Sequence, residues 1–130
     1  MTDKKYRVLV VEDEPSICQV CLRTLEGMGL DVTIAINGQI GQSLIQRDTF
    51  DLCLVDIRTP VMNGKSLYAY VLNHYPNIAK RIIFTTGDLL DETTRGFLDA
   101  TGQPFLPKPF TPNDLKTIIT ETFQKLGEQN

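Results

Sequence analysis

The segment LCLVDIRTP, residues 52–60, sets an apolar run directly against a single carboxylate, that of Asp56. A run of Leu, Cys and Val predicts a β-strand that is buried on both faces, as in a parallel sheet. An ionised Asp at the tip of a buried strand is costly unless a cation or a hydrogen-bond donor pairs with it. Asp56 therefore either lies in a solvated turn or is held at the strand end to perform chemistry.

The bulk properties of the chain fit one domain with one core. It has 130 residues, of which 42% are hydrophobic and 22% charged, which argues against disorder and against a coiled coil. The net charge of −3 gives no electrostatic footprint for nucleic acid, so we expect no direct binding of DNA or RNA. The sequence has no apolar run of membrane-spanning length and no signal peptide, which predicts a cytoplasmic protein without membrane attachment.

The cysteines of the chain raise the alternatives of a redox site or a zinc site. Cys18 and Cys21 form a C-x-x-C pair, but they lie at helical spacing with the leucines that follow them. No second Cys or His pair is present in the sequence to complete a zinc site. We interpret both thiols as small apolar core residues, which leaves a thiol oxidoreductase without support.

Strand-like and helix-like segments alternate along the chain. Apolar, β-branched segments predict strands at residues 6–11, 31–36, 52–56, 81–86 and 104–107. Segments of helical period predict five helices, at about residues 15–27, 38–47, 66–73, 89–100 and from 112 onward. This alternation predicts an α/β fold with a doubly wound five-stranded parallel sheet, order 2-1-3-4-5, in the flavodoxin-like arrangement.

Polar side chains follow the predicted strands at the points where they end. Glu12 and Asp13 follow the first strand, Asp56 ends the third, Thr86 ends the fourth and Lys108 follows the fifth. The carboxyl ends of parallel strands meet at one edge of the sheet, where ligands bind. Clustered carboxylates repel one another unless a cation is present, and an all-oxygen set favours Mg²⁺. With a hydroxyl and an ammonium group added, the set predicts a phosphoryl-transfer site in which Asp56 is the nucleophile.

The sequence closely resembles the receiver domain of two-component response regulators. The resemblance is carried by VVEDEP at 10–15, LVDIRTPVMNG at 54–64 and FLPKPF at 105–110. Thr86 and Lys108 also stand at the distances from Asp56 that the family pattern requires. The resemblance extends over about residues 5–127 and implies one receiver domain with the fold of the chemotaxis regulators, whose strand order is 2-1-3-4-5.

The resemblance implies a role for each residue of the site. Asp56 is the phosphoacceptor, and Thr86 and Lys108 bind the phosphoryl oxygens. The cofactor is Mg²⁺, with Mn²⁺ as a substitute. The implied metal ligands are Glu12 acting through water, Asp13, Asp56 and the backbone carbonyl of Arg58.

The resemblance also implies how the signal leaves the site. Thr86 and Phe105 are the switch residues: Thr86 moves toward the new phosphoryl group and Phe105 turns inward. The face formed by the predicted fourth helix, fifth strand and fifth helix is remodelled as a result. A new dianion with three acceptor oxygens is a physical cause for such a two-state change. In this family the Lys108-Pro109 peptide bond is typically cis.

The implied partners are those of a phosphorelay. A sensor histidine kinase or a histidine phosphotransfer protein supplies the phosphoryl group, and an effector domain or protein reads the result. A phosphorylation-dependent homodimer is a further assembly that the family implies. The chain is expected to catalyse only its own phosphorylation and dephosphorylation. No output domain is expected in this chain, which leaves a stand-alone receiver, an excised regulator domain or the receiver of a hybrid kinase as alternatives.

Two other functions compete with this interpretation. A degenerate receiver would bind partners without phosphorylation, but the complete acidic, hydroxyl and lysine set argues against it. A phosphatase of the haloacid dehalogenase class also uses an aspartyl nucleophile and needs a second Asp two residues later. Arg58 stands at that position, so this alternative lacks its acid/base residue.

Two local contacts are predicted as well. Thr111 and Asp114, with Pro112 between them at the first helical position, indicate a capping box at the start of the last helix. Arg58 and Asp88 stand two residues after the phosphoacceptor and the switch threonine, respectively. In the receiver fold these two positions face each other over the mouth of the site, so their opposite charges allow an ion pair there, with two independent solvated charges as the alternative.

Overall fold

A five-stranded parallel sheet organises the computed structural model, which describes residues 5–128. The strands are β1 (Arg7–Val11), β2 (Asp31–Ala35), β3 (Leu52–Asp56), β4 (Ile82–Thr86) and β5 (Phe105–Pro107). Their order is β2-β1-β3-β4-β5, which confirms the predicted fold. In the register, Val11 lies opposite both Ala35 and Val55, and Asp56 lies opposite Thr85. The carboxyl ends of the strands therefore lie level at one edge of the sheet.

Helices connect the strands and cover both faces of the sheet. In residues 5–128 they are α1 (Pro15–Gly27), α2 (Gly38–Arg47), α3 (Gly64–His74), α4 (Pro76–Ala79), α5 (Glu92–Thr101) and α6 (Pro112–Glu128). The prediction of five helices was one short, because α4 has only four residues and is too brief to show a helical period. The predicted fourth and fifth helices are thus α5 and α6. None of the described helices is both long enough and apolar enough to cross a bilayer.

The core lies in two layers, one on each face of the sheet. Successive strand residues point to opposite faces, so Val8 and Val10 join one layer while Leu9 and Val11 join the other. Helices α2, α3 and α5 close the layer that contains Leu9. Helices α1 and α6 close the other layer. Each fully buried Leu, Ile, Val or Phe stabilises the fold by roughly 1.5–3 kcal/mol relative to an exposed one.

Three aromatic rings connect the sheet to two helices within the first layer. Phe84 of β4 lies 5.5 Å from Tyr68 of α3 and 5.2 Å from Phe97 of α5, measured between ring centroids. Tyr68 and Phe97 are 5.9 Å apart, and all three pairs meet edge to face. This arrangement is the favourable one for aromatic rings, because the positive edge of one ring faces the negative face of another.

The helix start predicted for α6 is confirmed, and of the two cysteines interpreted as core residues Cys21 is buried and Cys18 is not fully so. The backbone N–H of Thr111 donates to Asp114 Oδ2 at 2.9 Å, and the N–H of Asp114 donates to Thr111 Oγ1 at 3.0 Å. Cys21 and Cys53 are buried and Cys18 is half-buried. Burial raises the pKa of Cys21 and of Cys53 to about 12, so these thiols stay protonated and unreactive.

Candidate functional site

Three carboxylates meet where β1 and β3 end. Glu12 and Asp13 follow β1, and Asp56 is the last residue of β3. One carboxylate oxygen from each lies within 4.8 Å of the others, with Glu12 and Asp56 buried and Asp13 exposed. A cavity of about 440 Å³ opens over the cluster, and its lining is Asp13, Glu14, Asp56, Arg58, Gly87, Asp88 and Lys108. The predicted convergence at the carboxyl edge is therefore present.

Lys108 brings a positive charge into this cluster from the end of β5. Its Nζ lies 2.9 Å from Glu12 Oε1 and 3.1 Å from Asp56 Oδ2. Burial opposes the charged form, but the hydrogen bond that Lys108 donates to Glu12 and the charge of Asp56 outweigh it and raise the pKa of Lys108. The ammonium group is therefore charged at neutral pH. The Lys108–Pro109 peptide bond is cis, as the sequence resemblance implied.

Glu12 is held by hydrogen bonds on both of its carboxylate oxygens. Its Oε2 accepts from the backbone N–H groups of Asp13 and Glu14, each at 3.1 Å, while Oε1 faces Lys108. Burial raises the pKa of Glu12, although the bond from Lys108 opposes that rise. The Glu12 side chain thus braces both Lys108 and the turn that carries Asp13.

Asp56 is fixed by a donor on each oxygen. Its Oδ1 accepts from the backbone N–H of Arg58 at 3.1 Å and its Oδ2 accepts from Lys108 Nζ at 3.1 Å. The loop after β3 folds back on the same strand end, since a Cβ at Gly64 would lie 2.7 Å from the Asp56 carbonyl oxygen. Only glycine fits that approach. The loop, the lysine and the strand together fix the position of the Asp56 carboxylate.

The two predicted switch residues lie on β4 and β5. Thr86 is buried at the end of β4, where its hydroxyl accepts from the backbone N–H of Asp88 at 3.1 Å and its carbonyl accepts from the N–H of Lys108 at 2.8 Å. Phe105 lies on the edge strand β5 with 40% of its surface exposed. The structure therefore places Thr86 beside Lys108 and leaves the ring of Phe105 outside the site.

The ion pair that the sequence allowed over the mouth is present. An Arg58 guanidinium nitrogen contacts Asp88 Oδ2, which joins the loop after β3 to the loop after β4. Both side chains line the cavity above Asp56. The pair therefore forms one side of the entrance from solvent to Asp56.

Sequence reasoning missed one acidic residue at the mouth. Glu14 Oε1 lies 3.9 Å from Lys108 Nζ, so a third carboxylate, after those of Glu12 and Asp56, faces the lysine. The available signal was the EDE run at 12–14, in which only the first two acids were assigned to the site. At 59% side-chain exposure, Glu14 adds negative charge to the entrance with little effect on stability.

The donor set of the cluster fits a hard divalent cation. The three clustered carboxylates offer oxygen ligands, which Mg²⁺ prefers over nitrogen or sulfur. Asp13 and Asp56 line the cavity, whereas Glu12 does not, and the Glu12 oxygens face Lys108 and two backbone amides. This division agrees with a direct role for Asp13 and Asp56 and an indirect one for Glu12.

The amino-acid sequence matches the model of a known protein family. The sequence model of the response regulator receiver domain matches residues 8–120. The chain belongs to the response regulator receiver family. Receiver domains are the signalling modules of two-component systems and respond to phosphorylation, rather than acting as enzymes in the usual sense.

Relatives and solved structures agree with this membership. Response regulator protein PilR of Pseudomonas aeruginosa is 33% identical over 115 residues, which cover 88% of this chain and 25% of that protein. The alginate biosynthesis transcriptional regulatory protein AlgB of the same species is 30% identical over 123 residues, covering 95% of this chain and 27% of that protein. The receiver chain thus spans about a quarter of the length of these relatives.

The fold match to a solved receiver is nearly complete. A crystal structure of a CheY-like response regulator receiver domain protein from Methanospirillum hungatei JF-1 superposes with a TM-score of 0.89 at 27% sequence identity. The superposition covers 98% of this chain and 100% of that chain. The receiver architecture therefore extends over nearly the whole sequence.

Proposed function

We propose that residues 5–127 form a receiver domain that accepts a phosphoryl group on Asp56 and changes its surface in response. The donor is a phosphohistidine of a sensor kinase or of a phosphotransfer protein. An Asp56 oxygen attacks the phosphorus, the P–O bond forms, and the P–N bond to the imidazole breaks. Asp56 becomes an acyl phosphate, which water later hydrolyses back to the carboxylate and inorganic phosphate.

The observation that carries this proposal is the position of Lys108 between Glu12 and Asp56. An ammonium group 3.1 Å from the nucleophile is poised to follow the incoming phosphoryl oxygens. Phosphoryl transfer needs positioned positive charge more than it needs covalent chemistry, because the transition state spreads charge over the equatorial oxygens. A backbone hydrogen bond joins Thr86 to Lys108. The hydroxyl of Thr86 would therefore reach the phosphoryl group on Asp56 by a movement of the Thr86 side chain.

Mg²⁺ is the cofactor that this site supports, with Mn²⁺ as a substitute. Asp13, Asp56 and the backbone carbonyl of Arg58 would hold the ion, and Glu12 would support it through water. When bound, the ion offsets negative charge on the carboxylates and on the phosphoryl oxygens. Asp13 is exposed at the cavity, which suits a ligand that exchanges with solvent.

The output of the switch is assigned to the face of α5, β5 and α6. Thr86 and Phe105 connect the phosphorylation site to that face, because the strands that carry them are neighbours in the sheet. The phosphoryl group draws the Thr86 hydroxyl away from Asp88, and the ring of Phe105 moves inward from its exposed position. An effector domain, an effector protein or a second copy of the phosphorylated chain reads the altered face.

The test is chemical labelling of the purified chain. With Mg²⁺ and acetyl phosphate, the intact mass should rise by one phosphoryl group, and Asp56→Asn should abolish that rise. Asp51→Asn is the control, because Asp51 precedes the other end of the same strand. Labelling that persists in Asp56→Asn would move the acceptor elsewhere, and a wild-type chain that takes no label would favour a phosphorylation-independent binding module.

A further inference from the structure

Val61 holds a strained backbone five residues after the phosphoacceptor. Its φ is 67°, and the N–H of Met62 donates to the carbonyl of Pro60 at 2.7 Å, so Val61 is the central residue of a γ-turn. A γ-turn with positive φ is rare and strained, and β-branched residues are poorly suited to positive φ. The Thr59 hydroxyl donates to the Met62 carbonyl at 2.8 Å and closes this turn.

The Val61 side chain does not stabilise the hydrophobic core by burial. It is 75% exposed, so burial of its methyl groups does not offset the backbone strain. Glycine would hold the same turn with less strain. A strained residue persists where the surrounding structure enforces it, and such residues cluster at functional sites. Folding alone therefore does not account for an apolar β-branched side chain at this tip.

Two more exposed apolar residues stand on the neighbouring loop. Ile36 follows β2 and is 59% exposed, and Ile40 in the first turn of α2 is 39% exposed. The loop that carries them touches the loop of Val61, because a Cβ at Gly38 would overlap the carbonyl of Met62. Ile36, Ile40 and Val61 thus lie on adjoining loops at the α2–α3 side of the mouth, and we name them the rim patch.

We propose that the rim patch is a docking surface for the protein that carries the phosphohistidine, a role that rests on the proposed function. Asp56 is buried at the base of its cavity, and the donor imidazole has to bring its phosphorus within about 3–3.5 Å of the attacking oxygen. A protein donor that reaches that depth comes to lie over loops that border the cavity. The rim patch is continuous with those loops through the turn at residues 59–62.

The chemistry of the mouth explains why an apolar contact is useful there. The lining of the cavity consists mainly of charged side chains, whose contacts with a partner are weakened by salt and water. Exposed apolar side chains that become covered act as anchors in interfaces, and a few such residues carry much of the binding energy. The rim patch therefore favours a protein donor, whereas a small-molecule donor makes no contact with it.

The experiment compares two phosphodonors on the same variants. The protein donor is the autophosphorylated kinase core that labels the wild-type chain fastest among the kinases of the same genome. The small donor is acetyl phosphate with Mg²⁺. The first variant is Ile36→Thr/Ile40→Thr/Val61→Thr. Because threonine is β-branched like isoleucine and valine, the backbone preferences of the three positions are kept and only apolar surface is removed. Val61→Thr alone is the second variant should the triple change disturb folding. Leu72→Gln, at an exposed position of α3, is the control.

We expect kcat/KM for transfer from the kinase to fall about tenfold or more in the triple variant, which corresponds to about 1.4 kcal/mol of lost contact. Labelling by acetyl phosphate should stay within about twofold of wild type, since the barrier at Asp56 is unaffected. Val61→Thr should show part of the same loss, and Leu72→Gln should show none with either donor.

Several outcomes would overturn the proposal. Unchanged transfer from the kinase would show that the donor does not cover the rim patch. An equal loss with both donors would mean damage to the phosphorylation site. Conversion of a wild-type dimer to a monomer, with transfer intact, would assign the patch to a second copy of the chain. A wild-type chain that acetyl phosphate cannot label would instead remove the proposed function, and it would do so before any patch variant is made.

Discussion

Arg58 and Asp88 pair across the cavity through which water would have to reach an aspartyl phosphate. Arg58 is well exposed, with a side-chain exposure of 66%, so solvent screens the pair and it contributes only about 0–1 kcal/mol to stability. We therefore expect the ion pair to affect the rate at which the aspartyl phosphate is hydrolysed. A tenfold change in hydrolysis needs only about 1.4 kcal/mol in the activation barrier, which a gate of this kind can supply.

We predict that opening the pair shortens the lifetime of the phosphorylated state. Arg58→Ala and Asp88→Ala should each speed dephosphorylation, and the double variant should be no faster than the faster single variant, because either change already breaks the contact. The decay of the phosphorylated mass after removal of the donor gives the rate. Equal decay in wild type and all three variants would show that the pair does not gate water.

Cys53 makes the stability of the native state sensitive to alkaline pH. Burial raises its pKa from 9.0 to about 12, so above pH 9 the unfolded thiol loses its proton while the native thiol keeps it. Proton loss that is confined to the unfolded state favours unfolding, so this contribution to stability is complete below pH 9 and declines as the pH rises toward 12.

We predict that Cys53→Ala removes this part of the pH dependence. Between about pH 9 and 11, the free energy of unfolding of wild type should fall faster than that of the variant, by up to about 1.4 kcal/mol per pH unit. Urea unfolding at each pH measures the difference. Val55→Ala is the matched control: it leaves a cavity in the same strand without a titratable group, and so its pH dependence should follow wild type.

At the residue scale, the sequence predicted which side chains meet but not how they pair. Glu12, Asp56 and Lys108 were placed together because each stands at the end of a strand in a parallel sheet. The contacts of the two Glu12 oxygens with Lys108 and with the backbone amides depend on side-chain rotamers and loop geometry. The spacing of residues in the sequence does not specify these. The γ-turn at Val61 left no signal either, because valine is a poor residue for positive φ and the sequence there predicts an ordinary loop.

At the element scale, the start of α6 is specified by its own first residues. Thr111 and Asp114 exchange hydrogen bonds between side chain and backbone, which satisfies two amide groups that the helix cannot. Helix α6 then covers one face of the sheet with Leu115 and Ile119. The stability of that layer therefore depends in part on a capping contact at the protein surface.

We predict that Thr111→Ala lowers the free energy of unfolding by about 1 kcal/mol, the usual effect of losing a helix cap. Asn113→Ala is the control, since Asn113 is exposed in the same turn and is not a member of the capping box. Urea unfolding of the two variants gives the comparison. A loss of equal size in both would point to the general helix propensity of this turn rather than to the cap.

The elements that the sequence predicted well are those with a long, repeated pattern. All five strands were predicted to within two residues at each end, because double burial produces nearly continuous apolar runs. Helix α4 was missed because four residues show no period, and Pro76 alone did not distinguish a helix start from a turn. Pattern reasoning thus fails for short elements whose structure is set by their neighbours.

At the scale of the whole molecule, the carboxylate cluster links ion binding to folding. Asp56 approaches Glu12 and Asp13 only in the folded chain, so an ion that binds all three stabilises the native state by mass action. We predict that Mg²⁺ raises the melting temperature and that EDTA reverses the rise. At about ten times the dissociation constant, the gain is about 1.4 kcal/mol.

The Asp13 carboxylate is the group on which that stabilisation should depend. Asp13→Asn should abolish the Mg²⁺-dependent rise in melting temperature, while Asp99→Asn on the exposed surface of α5 should keep it. Differential scanning calorimetry with and without Mg²⁺ separates the two. The same rise in Asp13→Asn as in wild type would show that this carboxylate is not a ligand.

The side chains of the phosphorylation site all lie at the carboxyl edge of the sheet. The four longer strands, β1 to β4, have five residues each. A strand of that length spans about 16 Å, which separates the phosphorylation site from the loops at the opposite edge. Those loops, such as the turn at Gly102 between α5 and β5, carry none of the residues that line the phosphorylation site. A fluorophore attached at that turn, which adjoins the proposed output face of α5 and β5, should therefore report the switch without entering the phosphorylation site.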